Sequence, residues 1–436
     1  MHGVWIGCLI SLLATAGFSR NFTVSGTVQD SAGNTIEGAT VWLGVADVSV
    51  VSGADGTFVL TGGVDVRRTS NPPAAVLSGM PFIDRQGTLS LDLAEKSPVL
   101  FSVYSVNGQL LYTHSALLAA GRHALTFPTL AQEMYLYRIA ANGRAYTGKW
   151  IRGLPVRGGQ PQSVHSGNAA MVAETPAPEE DVLLVVKDGY RLARLVLPSV
   201  DTAGMVITLM PLQTGTVSDI EGNVYRTVVI GSQEWTVDNF RTTKFNDGDT
   251  IPLVADSVAW AALETPGYCY YNNSTDSVEN NKWGALYNWY AVHSGKLAPE
   301  GWHVPTYAEW DTLQNYLMTN GYNYDGSIAA AEYEDLVAIA LSSPTDWEAI
   351  PVIGAPGRNP GMNNGSGFSG LPGGHRLEDG SFDGRGLNAH WWSASEATGY
   401  DVPSAWDRVI YYYFWYLGDY AYGYNAGSYV RLVRDR

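Results

Sequence analysis

The composition of this chain changes abruptly near Gln213. Up to that residue there are 15 acidic and 14 basic side chains; from Thr214 onward there are 27 and 12. The same boundary separates three tryptophans from 11 and six tyrosines from 20. Two such compositions imply at least two domains, and 436 residues exceed one ordinary core. The join falls in Met210-Pro211-Leu212-Gln213-Thr214-Gly215. The net charge of −16 argues against nucleic acid and anionic membrane as general partners. Hydrophobic residues at 45% suit a folded chain, and 48 glycines suit turn-rich β structure. Two cysteines exclude a disulfide scaffold and any multi-cysteine zinc or iron–sulfur site.

The run Val4 to Ala16 is apolar, too short for a stable membrane anchor, and ends in Ala14-Thr15-Ala16. It reads as a signal peptide over 1–16 with a small-residue cleavage site. The expectation is a secreted or outer-surface protein with no membrane-spanning segment after cleavage. Cys8 lies inside the apolar run, so Cys269 is expected to be the one cysteine left, without an internal disulfide.

The first half alternates as strands do. FTVSGTV at 22–28 is polar and apolar by turns, DSAGN at 30–34 is a turn, and 39–43 and 57–60 read as further strands. VSGTVQDSAGNTIEGATVWL followed by GADGTFVL resembles the carboxypeptidase-regulatory-like β-sandwich, whose members serve mostly as spacers or binding modules. VLLVV, LARLVL and MVITLM within 181–212 resemble closing strands of the same module. One sandwich is therefore expected from 22–66 plus 181–212, with 84–152 inserted as a second small β-sandwich. In the insert, Asn107-Gly108 and Asn142-Gly143 are hairpin turns because both residue types tolerate positive φ. Its words VYSVNGQLLY, AGRHAL and MYLYRIAANGRAYTGKW resemble sorting domains of type IX-secreted proteins. Those domains sit at a chain end, so only the small sandwich fold carries over. Residues 154–180, rich in Gly, Pro and Ser, read as a linker.

The second half carries WGALYNWYAV, GWHVPTYAEWDTL, GFSGLPGGHR, WWSASE and SYVRLVRD in this order. Over 217–436 these words resemble the Fibrobacter succinogenes major paralogous domain. The resemblance implies an α+β, C-type-lectin-like fold, shared with formylglycine-generating enzymes, on secreted or surface proteins. The fold class expected for the whole chain is thus multidomain: N-terminal all-β sandwiches and a C-terminal α+β lectin-like domain. Thr306 to Glu309 is a capping box, opening a helix with Trp310, Leu313 and Leu317 on one face and Asn320-Gly321 at its end. His303 beside Trp302 reads as a satisfied core histidine.

No catalytic constellation is recognised, and the chain is not expected to be an enzyme. Formylglycine-generating chemistry, as the resemblance presents it, needs a cysteine pair that Cys269 alone cannot supply. His293, His303, His375 and His390 are widely spaced, and no GxSxG elbow occurs. The Gly-rich stretch 354–374 lacks the phosphate-loop pattern and reads as a long lectin-type loop. The expected role is binding of glycan or cell-wall polysaccharide, with adhesion as consequence and a polysaccharide or surface protein as partner. The alternative is a structural or protein-interaction module of the cell surface. YYYFWY at 411–416 reads as a strand that turns Tyr411, Tyr413 and Trp415 one way. Trp391, Tyr413 and Trp415 are the candidate ligand-stacking residues, and Trp392 the core member of its pair. Asp379 and Asp383, with Glu378, are candidate calcium ligands; the competing reading is an acidic solvated loop.

Overall fold

A computed structural model describes residues 18–44, 47–66, 82–83, 88–93, 96–104, 110–126, 134–141, 144–151, 156–157, 181–197, 201–328, 335–350, 352, 354–400 and 402–436. The signal-peptide reading, both Asn-Gly turns and most of 154–180 lie outside the described residues.

Two sheets form the first unit. Asp201–Leu209, Phe18–Asp30 and Thr57–Val66 make one, with Phe18–Asp30 in the middle. Ala193–Leu197, Asp181–Val186, Thr40–Leu43 and Val48–Val51 make the other. Segments far apart in sequence pair directly: Thr27 opposite Val206, and Leu184 opposite Trp42. Phe22, Val24, Val41, Leu43, Phe58, Leu183, Val185 and Ile207 from both sheets share one core. Alternation along Asp181–Val186 sends Leu183 and Val185 into that core and Val182, Leu184 and Val186 to the opposite face.

Residues 82–157 supply two further four-stranded sheets. One orders Arg144–Ile151, Met134–Ala141, Ser97–Tyr104 and Leu110–Leu118; the other Val156–Arg157, Phe82–Ile83, Thr88–Leu93 and Gly121–Thr126. Val156–Arg157 corrects the linker reading at that point, because it hydrogen-bonds as a strand to Phe82–Ile83.

The C-terminal unit begins with Thr214–Ser218, Val224–Ile230 and Gln233–Thr236, and the chain end returns as Val433–Asp435 to complete their sheet. A larger sheet runs Tyr268–Cys269, Leu286–Asn288, Gly427–Ser428, Gly373–Arg376, Asn388–Ala397, Ser404–Tyr411 and Gly418–Gly423, with Phe382–Arg385 paired to Gly373–Arg376. Among the described residues, helices are few and mostly short. The longest, Tyr307–Thr319, starts at a complete capping box of Thr306 and Glu309 and buries Trp310, Leu313 and Leu317. No helix among the described residues is long and apolar enough to cross a membrane.

The first sandwich rests against the C-terminal unit. Trp42, Val182, Leu184 and Val186 pack with Ile339 and Met362, and Arg358 pairs with Asp47 beside them. A small cleft lined by Trp42, Tyr324, Ile339, Arg358 and Met362 marks this join. The Gly-rich stretch is thus a loop, but a largely buried one.

Candidate functional site

The strands Ser404–Tyr411 and Gly418–Gly423 end the larger sheet, and Gly418–Gly423 is its outermost strand. Period-two alternation sends Tyr420 and Tyr422 to one face with Asp407, and Asp419 to the other. The connecting segment is not the strand that YYYFWY suggests. Only Tyr411 is extended; Tyr412 to Tyr416 turn, because the chain must reverse to bring Gly418 opposite Val409. The turn is pinned by the Leu417 amide, which donates to Asp335 Oδ1 at 2.8 Å, while Gln314 Nε2 of the long helix donates to Oδ2 at 2.6 Å. Burial pushes the Asp335 carboxyl up to about 7.

The result is a face of half-buried tyrosines: Tyr411, Tyr413, Tyr420 and Tyr422. Tyr411 lies 5.5 Å from Tyr413 and 6.0 Å from Tyr420 between ring centroids, and Tyr420 lies 6.5 Å from Tyr422. Beneath them sit His375 and His390, their rings 4.0 Å apart. Tyr422 packs on both, at 5.5 and 5.8 Å, and Tyr411 packs edge-on against His390. His390 Nδ1 and Asp407 Oδ1 are hydrogen-bonded at 2.7 Å with both side chains enclosed. Burial drives both imidazoles toward the neutral form, to about 3, and drives the Asp407 carboxyl upward. The base of the face is therefore an enclosed, hydrogen-bonded stack in which burial favours the uncharged forms, with the half-buried tyrosine rings above it.

The candidate residues read from the sequence divide sharply. Tyr413 belongs to the face. Trp391 does not: it is 0% exposed, packed against Trp310 and Phe368, with its indole N–H donated to Asn239 Oδ1. A strand covered on both sides takes Trp391 into one core cluster and Trp392 into another, so both are structural. Trp415, at 5% exposure, is also enclosed, because the turn folds it inward. His303 is corrected in the other direction. It is exposed rather than core, and its Nε2 pairs with Glu309 at 2.5 Å.

Asp379 and Asp383 do not converge on one point. Asp379 Oδ1 accepts from the amide and hydroxyl of Ser381, a local turn, and Asp383 stands exposed on its own strand. Glu378 Oε1 accepts from the Gly423 amide at 2.9 Å. Among the described residues no three His, Cys, Asp or Glu side chains are grouped to hold a metal ion.

Residues 228–434 match the Fibrobacter succinogenes major domain. The tyrosine face, the histidine stack and the long helix all lie inside this major domain. No curated protein matches the chain. Within the major domain, Tyr420 and Tyr422 were open to detection from the alternation in GDYAYG. His375 and His390 were not: 15 positions apart, they meet only because Gly374 pairs in parallel with Ala389.

Proposed function

We propose that the major domain binds glycan at its tyrosine face, in a protein exported to the cell surface or beyond. What supports this is the cluster of half-buried Tyr411, Tyr413, Tyr420 and Tyr422 on the outermost strands and their turn. Tyrosine offers a broad, stiff ring with two rotatable angles, so little entropy is lost when a sugar ring stacks on it. Its hydroxyl then meets the sugar's own hydroxyls. The likeness of the second-half words to C-type-lectin-like domains agrees with this role. The sandwich of 22–66 and 181–212, read as a carboxypeptidase-regulatory-like module, acts as the support that presents the domain. The apolar run ending at Ala16 agrees with export.

The test is retention of the full chain on insoluble plant and microbial polysaccharides. Retention on one polymer is expected to fall about tenfold or more in Tyr413→Ala and Tyr420→Ala, as for exposed aromatic anchors. Circular dichroism checks that these variants fold. No retention of the unaltered chain on any polymer overturns the proposal. The outer edge of Gly418–Gly423 then favours the second reading, a protein-interaction module that accepts a partner strand.

A further inference from the structure

Among the described residues, the basic side chains of the last third of the chain are committed away from the tyrosine face. No lysine follows Lys296 in the sequence, and seven arginines do. Arg358 pairs with Asp47, Arg385 with Glu279, Arg408 with Asp311, and Arg434 and Arg436 with Glu234. Arg376 is enclosed and donates to the carbonyls of Val254, Ala255 and Gly380. Arg431 is enclosed and donates to those of Thr236, Phe368 and Ser369. All seven are committed away from the tyrosines.

The charges that border the face are carboxylates. Glu378 is bonded to the amide of Gly423, which ends the strand carrying Tyr420 and Tyr422. Asp383 is exposed and strand-paired with His375. His375, 5% exposed, packs on Tyr422 with the Asn388 side chain as its polar neighbour. Both ring nitrogens are enclosed, so it closes the base of the face and leaves the carboxylates as the charges at its border.

We infer that this face takes sugar units carrying a protonated amine, with Glu378 and Asp383 as counter-charges. The inference rests on the glycan reading above. An ammonium over a tyrosine ring is drawn to the negative π face, and nearby carboxylates add Coulomb attraction. A neutral or N-acetylated unit keeps the stacking and loses both contributions. A uronate meets Glu378 and Asp383 as like charges.

The experiment is calorimetric titration of the full chain with two soluble hexamers of one backbone, glucosamine and N-acetylglucosamine. The amine form is expected to bind about tenfold tighter, a difference of about 1.4 kcal/mol. In the double variant Glu378→Gln, Asp383→Asn the two hexamers are expected to bind equally. Glutamine keeps an oxygen for the Gly423 amide, so the strand end is preserved. Glu37→Gln, Glu300→Gln removes the same charge from two exposed positions elsewhere and is expected to leave the preference intact. Equal or tighter binding of the acetylated hexamer overturns the inference. So does a preference that falls equally in both double variants, which traces it to the net charge of −16 rather than to this face. If neither hexamer binds while a polysaccharide retains the chain, the amine inference alone fails. If no glycan of any kind is bound, both readings fail.

Discussion

Arg431, in the segment SYVRLVRD, shows how one buried side chain ties the domain together. Its guanidinium, 0% exposed, donates to Asn239 Oδ1 at 2.7 Å, to the Thr236 carbonyl at 2.7 Å and to the Phe368 carbonyl at 3.0 Å. It also lies over the Phe368 ring at 4.7 Å. Burial pulls its pKa down to about 9, so it remains charged at neutral pH. Arg431→Met leaves several buried acceptors without donors and is expected to cost about 3 kcal/mol in chemical denaturation of the full chain. A loss below about 0.5 kcal/mol, the scale of surface changes, refutes that role. The histidine stack supplies a pH prediction. His375 has a folded pKa of about 3 against an ordinary 6.5, so below pH 6.5 the unfolded chain takes a proton that the folded chain refuses. The contribution of His375 to stability is therefore flat above pH 6.5 and falls on acidification toward pH 3, by about 1 kcal/mol per pH unit, while Asp335, raised to about 7, acts in the opposite sense. His390 contributes a similar slope, so His375→Phe is expected to reduce the slope in denaturation curves taken between pH 6.5 and 4 by about 1 kcal/mol per pH unit relative to the unaltered chain; an unchanged slope refutes it. Residue types alone told little about which aromatics face solvent. Trp391 and Trp415 looked like ligand platforms, but exposure is decided by the strands and turns packed over a ring, which local sequence does not carry.

At the scale of elements, legibility depended on how local the forces were. The helix Tyr307–Thr319 was readable because its start is a bond set within four residues: the Glu309 carboxylate accepts from the Thr306 amide at 2.7 Å and hydroxyl at 2.8 Å. Burial opposes ionisation of Glu309, but the Thr306 amide and His303 outweigh it and hold the carboxyl below its ordinary range. A depressed carboxyl stabilises at neutral pH and loses that contribution as pH falls through its folded value. Thr306→Ala is expected to cost about 1 kcal/mol at neutral pH, read from the denaturation midpoint. Glu309→Gln keeps an acceptor for the Thr306 amide but is expected to remove the helix's share of the acid sensitivity. If Thr306→Ala leaves the midpoint unmoved, the capping box is not stabilising this helix. The segment YYYFWY failed as a strand for the opposite reason. Its β propensity is high, yet the antiparallel return of Gly418–Gly423 forces a reversal there, held by Asp335 some 80 positions away.

At the scale of the molecule, the first sandwich and the major domain behave as one packed body. The apolar run VLLVV, without polar alternation, is the signature of a strand covered on both faces. Its second cover is the major domain, through Ile339 and Met362. The glycines of 354–374 make the same contact from the other side. A Cβ at Gly361 would stand 2.9 Å from Thr40 Oγ1, and one at Gly367, where φ is +82°, 2.6 Å from Leu212 Cδ1. Backbone meets backbone there as well, the Leu192 amide donating to the Gly365 carbonyl at 3.1 Å. The sequence marked this stretch as a loop, but close approach to a distant sheet leaves no local trace beyond glycine itself. Leu184 is 0% exposed on the shared face. Leu184→Ala is expected to cost about 3 kcal/mol by emptying a site that rigid sheets cannot refill. Leu184→Lys places an unpaired charge in the join and is expected to separate the two units, so that heating shows two transitions where the unaltered chain shows them melting together. A single, unshifted transition in Leu184→Lys would mean that the sandwich merely touches the domain. Two transitions already present in the unaltered chain would mean that the units fold independently and that the apolar join contributes little to either.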